Sequence, residues 1–141
     1  MSVKLIGISV VFLLCSYSSV FGQQEQLSIS GEILTKEKGG TIYIYLIDEA
    51  HFDVPGTGVE IISIEVNSGS MHYKFRDLAS GVFALRCFQD INGNKKLDRG
   101  LFGPKEPWAL TWKNEKRFPP RFEDISFDLN KDLTIDLKLE K

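Results

Sequence analysis

The chain has 141 residues, a formal net charge of −2, 43% hydrophobic and 26% charged residues, and two cysteines. This balance gives no basic footprint for nucleic acid or for an anionic membrane surface. Two cysteines cannot build a disulfide framework, so a core must hold the chain together, and there is enough apolar sequence for one.

The first element is a targeting segment. Lys4 supplies a positive start, Leu5 to Cys15 an apolar run, and Val20-Phe21-Gly22 the positions a signal peptidase reads. Residues 1–22 are expected to be a cleaved secretory signal, too short and wrongly flanked to span a membrane. The alternative is a lipoprotein signal through Cys15, but Phe12-Leu13-Leu14 puts no small residue directly before that cysteine. Cleavage removes 22 of 141 residues and leaves 23–141 as one domain of 119. Lys4 is the only charged residue lost, so the net charge becomes −3, and Cys87 is the one thiol retained.

From there the apolar period is two. Leu27, Ile29 and Ile33 alternate with Ser28, Ser30 and Glu32, and Ile42, Ile44 and Leu46 with Thr41, Tyr43 and Tyr45. Lys38-Gly39-Gly40 lies between these two runs as a turn and predicts that they form a hairpin. Ile62, Ile64 and Val66 make a third strand, Asn67 to Ser70 a turn, and Tyr73 and Phe75 mark a fourth strand. Asp77-Leu78-Ala79-Ser80-Gly81 is a joint with Leu78 dipping into the core. Val82 to Gln89 is apolar on both faces and reads as a central strand, while Leu133, Ile135, Leu137 and Leu139 form a last half-buried strand. Short strands with turn signals and no helical stripe predict an all-β, antiparallel sandwich with a long loop between its last strands. The pattern from Phe75 through Leu78 and Gly81 into the apolar strand resembles the transthyretin-like (Ig-like) sandwiches of secreted bacterial proteins.

Asp90-Ile91-Asn92-Gly93-Asn94-Lys95-Lys96-Leu97-Asp98, Gly103-Pro104-Lys105-Glu106 and Pro119-Pro120-Arg121-Phe122-Glu123-Asp124 follow in order beyond the central strand. With Gly81 to Gln89, these motifs resemble the bacterial family known as domain of unknown function 2141. The chain departs from the family's Gly-Tyr-Gly-like run, carrying Pro107-Trp108-Ala109-Leu110 instead. The resemblance implies an exported β-sandwich and no established activity.

Asp90, Asn92, Asn94 and Asp98 repeat the oxygen spacing of calcium loops, with Lys96 placed to offer a backbone carbonyl. Lys95 stands where an EF-hand needs glycine, Leu101 where it needs glutamate, and Lys95, Lys96 and Arg99 oppose a cation. The same residues suit a structural turn, because Asp and Asn fold onto nearby amides. Calcium is thus one cofactor reading and a self-held turn the other.

Lys105, Glu106, Trp108, Trp112 and Arg121 form a second candidate site, with Lys113, Lys116 and Arg117 nearby. Trp108 and Trp112 share a face at a spacing of four. Aromatic rings beside cations can stack on sugars or hold an anion, or they can cap one end of the sandwich. His51 and His72 each stand alone, without metal-ligand spacing, and Cys87 fits a small buried hydrophobe. Three readings follow. The first is a non-enzymatic accessory module binding an envelope protein or glycan. The second is a structural envelope protein without a ligand. The third is an envelope hydrolase, with two carboxylates or His51 and a carboxylate converging in a cleft, and in each reading the protein is exported, to the periplasm or beyond the cell.

Overall fold

The computed structural model describes residues 26–141. The expected signal segment and Cys15 lie outside the described residues. In chain order the elements are β1 (Leu27–Leu34), β2 (Thr41–Ile47), α1 (Glu49–Phe52), β3 (Glu60–Glu65), β4 (Ser70–Leu78), β5 (Gly81–Asp90), β6 (Arg99–Gly100), β7 (Gly103–Pro104), β8 (Trp108–Leu110), α2 (Phe122–Ile125), β9 (Phe127–Leu129), β10 (Leu133–Thr134) and β11 (Leu137–Lys138).

Alternation along the strands does the sorting. Leu27, Ile29, Ile33, Tyr73, Phe75 and Leu78 bury one face of the β1–β4 sheet. They share a core with Ile42, Ile44, Leu46, Leu85 and Cys87 from the sheet ordered β3-β2-β5-β8. The expected all-β sandwich is therefore present, with β5 central: it pairs antiparallel with β2 along seven residues and on its other side with β8 and β9.

The apolar outer face of β5 has a specific explanation. Tyr45, Ile47, Ala84, Phe88 and Ile125 form a second buried cluster, covered by Phe52, Leu97, Trp108, Leu110, Trp112 and Phe122. The long segment after Asp90 thus folds back over the sheet instead of extending into solvent. Thr111 anchors it, its hydroxyl accepting the Leu85 amide at 3.0 Å and donating to the Ile125 carbonyl at 2.6 Å.

Two expectations are corrected. The Lys38-Gly39-Gly40 turn does not close a hairpin: β1 pairs with β4, whereas β2 pairs with β3 and β5, so the turn carries the chain between sheets. Gly39 and Gly40 have φ of +74° and +75°, and a side chain on Gly40 would collide with the backbone of Asp90. Buried Gln89 fixes this crossing by donating to the carbonyls of Gly39 at 2.7 Å and Glu37 at 3.2 Å, while the Thr35 hydroxyl donates to its side-chain oxygen at 2.5 Å.

The last strand is also different. It is split into β10 and β11, and both run parallel to β1, with Ile29 opposite Leu133 and Ile33 opposite Leu137. The split falls where Ile135 and Asp136 step across Gly31. Tyr73 donates to the Ile135 carbonyl at 2.6 Å, and Asp136 accepts the Glu32 amide at 2.9 Å. Side-chain alternation records which residues are apolar, not the direction of the neighbouring strand.

Candidate functional site

At the end of β5, Asp90 is 1% exposed, and its carboxylate is fully engaged by its own loop. One oxygen accepts the amides of Gly93 at 2.8 Å and Asn94 at 3.2 Å, and the other accepts Lys95 at 2.8 Å. Gly93 and Lys95 reach this arrangement with φ of +78° and +61°. Asn92 and Asn94 make successive turns by accepting the amides of Asn94 at 3.1 Å and Lys96 at 2.9 Å. Their side-chain amides point to Asp98, at 2.6 and 3.0 Å.

Glu106, also buried, braces the loop from behind. Its two oxygens accept the amides of Ile91 at 2.9 Å and Asp98 at 3.2 Å. Two buried carboxylates therefore hold one loop by backbone amides, an arrangement of charge-assisted bonds that fixes position strongly. This places Glu106 with Asp90 and not on the ligand face beside Trp108. The sequence motif included Glu106, but only the fold brings it under the loop. Among the described residues, no group of three or more His, Cys, Asp or Glu side chains is arranged to hold a metal ion. The oxygens of Asn92 and Asn94 fall outside that class of ligands.

The tryptophan pair lies elsewhere. Trp108 and Trp112 are half-buried, and the ring of Phe118, 61% exposed, meets them edge-on at 5.7 and 5.5 Å. Together with Phe102 they line an open groove of about 550 Å³. Its far wall is the C-terminal strand, held by reciprocal backbone bonds between Trp108 and Glu140 at 3.0 and 3.1 Å. The rim is charged: Glu140 pairs with Lys116 at 3.3 Å and Lys138 at 3.6 Å, and the Lys116 bond holds its carboxyl below the usual range. The sequence paired the two tryptophans correctly, but nothing in the spacing pointed to Lys138 and Glu140, thirty residues away.

Arg121 is not part of that groove. It pairs with Glu123 at 2.7 Å and Asp124 at 3.5 Å beside α2; the Asp124 carboxyl is lowered first by the Arg121 amide at 2.9 Å and then by the Arg121 guanidinium. It borders a separate shallow cleft with Asp48, Asp53, Phe52 and Glu123. Lys105 sits on the β6–β7 hairpin, between the Asp90 loop and the groove. His51 meets the Asp48 carboxylate at 2.5 Å, and the same carboxylate accepts the His51 amide at 3.1 Å, which caps α1. That local pairing lowers the Asp48 carboxyl, with the His51 ring as the leading cause. His72 is exposed on β4.

Arg86 completes the outer face. Its guanidinium lies 5.4 Å from the centre of the Tyr45 ring and donates to the carbonyls of Phe52 and Thr57, both at 3.3 Å. It locks the 48–57 connection onto β2 and β5. Cys87 is buried, and burial pushes its thiol up to about 12.

No helix among the described residues is long and apolar enough to cross a membrane. No curated protein and no solved structure matches the chain significantly. A family model does match, over residues 33–136, from within β1 to the step between β10 and β11, and it includes the Asp90 loop, Glu106 and both tryptophans. The chain belongs to the DUF2141 family, uncharacterised proteins conserved in bacteria.

Proposed function

We propose that this domain is an exported, non-enzymatic binding module of the cell envelope, and that its ligand is a glycan taken in the Trp108–Phe118–Trp112 groove. The observation that carries this reading is the groove itself. Three aromatic rings form an apolar floor, and Lys116, Lys138 and Glu140 supply hydrogen-bonding groups at the edge. Sugars offer apolar C–H faces and hydroxyl rims, so this combination of ring surface and convergent polar groups suits them. The Asp90 loop acts as the brace for the segment that carries the groove, with a weak calcium contribution. Export rests on the Leu5 to Cys15 run and the Val20-Phe21-Gly22 site.

The test is titration of the mature chain with a panel of neutral and acidic oligosaccharides, read by intrinsic tryptophan fluorescence and by release of reducing ends. A saturable change that disappears in Trp112→Ala, without new reducing ends, supports the module. Silence across the panel removes the glycan reading in favour of a structural envelope protein. New reducing ends would favour a hydrolase.

A further inference from the structure

Beside the groove stands an apolar tip with no partner in the fold. In the β6–β7 hairpin Arg99 faces Pro104 and Gly100 faces Gly103, which leaves Leu101 and Phe102 at the turn, both fully exposed. Single exposed apolar residues are ordinary, but two adjacent large ones at a protruding tip, continuous with exposed Phe118 and the half-buried tryptophans, mark an interaction surface.

The charges around the tip indicate what covers it. Lys95, Lys96, Arg99 and Lys105 are exposed, and none of the four is in an ion pair among the described residues. The hairpin and the lysine loop form one unit, because the Lys105 amide donates to the Asp98 carbonyl at 2.8 Å and the Lys105 side chain lies against Gly100. Among the neighbouring carboxylates, Asp90 and Glu106 are buried against backbone amides and only Asp98, half-buried beside Asn92 and Asn94, shares the exposed face, so one carboxylate stands there against four cations. The exposed face is thus apolar at its tip and cationic around it, bordered by tryptophan and phenylalanine, the residue types that settle at a water–lipid boundary.

We infer that the Leu101–Phe102 hairpin is an interfacial anchor that docks on an anionic phospholipid surface, with the two side chains among the acyl chains and the four cations against headgroups. The net negative charge of the chain does not oppose this, because screening confines each charge to about 8–10 Å at ordinary ionic strength, so the local face decides. An apolar tip flanked by unpaired Arg99 and Lys105, with Lys95 and Lys96 on the loop bonded to its base, suits a fluid anionic surface, which needs no matching concavity.

The experiment is vesicle co-sedimentation of the mature chain with phosphatidylglycerol/phosphatidylcholine vesicles and with phosphatidylcholine alone. Binding is expected on the anionic vesicles. It should weaken markedly as salt rises from about 0.1 to about 1 M and the screening length shrinks from about 10 to about 3 Å. Leu101→Ser/Phe102→Ser should lower the affinity by about tenfold or more, with the circular dichroism spectrum and melting temperature unchanged, since both residues are exposed. Lys95→Glu/Lys96→Glu should abolish the preference for anionic lipid. Failure of the folded wild type to bind anionic vesicles overturns the inference. Equal binding by the Leu101→Ser/Phe102→Ser variant, or equal binding to neutral vesicles, does so too.

Discussion

Asp90 accepts the backbone amide of Lys95 at 2.8 Å, and Lys95 holds a φ of +61° to deliver it. The left-handed conformation of a lysine is compensated by a bond to a buried carboxylate. With the amides of Gly93 and Asn94 on its other oxygen, Asp90 organises the whole turn. Asp90→Ala leaves the Gly93 and Lys95 amides without their acceptor and the Asn94 amide with Asn92 alone, and is expected to cost about 3 kcal/mol in urea unfolding, with Asp90→Asn losing about half of that. A loss below about 1 kcal/mol for the alanine variant would mean that water replaces the carboxylate.

The Ile135 carbonyl fills the space that a side chain on Gly31 would need. Gly31→Ala must displace β10 and β11 from β1 and should destabilise the fold by about 3 kcal/mol. Gly39 has φ of +74° with nothing near its missing side chain, so Gly39→Ala should cost only about 1 kcal/mol, from backbone strain alone. Equal losses in thermal melts of the two variants would contradict the close approach at Gly31.

The side chains of Asn92, Asn94 and Asp98 meet within 2.6–3.0 Å, and a cation there would need both amides to turn their oxygens inward, away from the Asn94 and Lys96 backbone amides they now accept. Lys95, Lys96 and Arg99 oppose a divalent ion there, so any site is weak. Calcium is expected to raise the melting temperature only from about 10⁻⁴–10⁻³ M upward, reversibly with a chelator and not in Asp98→Asn. No shift at about ten times that concentration would leave the loop held by amides alone.

The Cys87 thiol, pushed by burial from 9.0 to about 12, stays protonated in the folded protein. Its folded value lies above its unfolded one, so its contribution to stability is complete below about pH 9 and is lost as pH rises from 9 towards 12. Cys87→Ala should flatten this alkaline limb in melts followed between those values. In a chain of residues 23–141 at neutral pH, a thiol reagent should react with Cys87 only as fast as the fold opens. Rapid labelling of the native protein would refute its burial.

Much of the fold was legible because burial selects side chains with a period that survives in the sequence. Leu27, Ile29, Ile33, Tyr73 and Phe75 face the core as their alternation predicts, and Leu78 enters it from the joint, past a register shift in the β1–β4 pairing. The two-faced apolar run before Asp90 correctly marked the centre of a sheet. The Asp90 loop was legible as a tight Asx-rich turn, because its bonds are local and run from side chain to nearby amide. Its brace by Glu106 was not, since that bond depends on where β7 and β8 return.

The sequence by itself determined which strand residues line the core and where the Asx-rich turn falls, and its ordered motifs carried the family, because apolar periodicity and local hydrogen bonding operate within a few residues. Only the tertiary structure decided that β1 and β2 lie in different sheets, that β10 and β11 run parallel to β1, and that Phe118, Lys138 and Glu140 join Trp108 and Trp112 in one groove. It also joined the loop of Lys95 and Lys96 to the hairpin of Arg99, Leu101, Phe102 and Lys105 in a chain whose summed charge is negative. Strand partners and surface charge depend on contacts between residues far apart along the chain, and composition and periodicity contain no record of them.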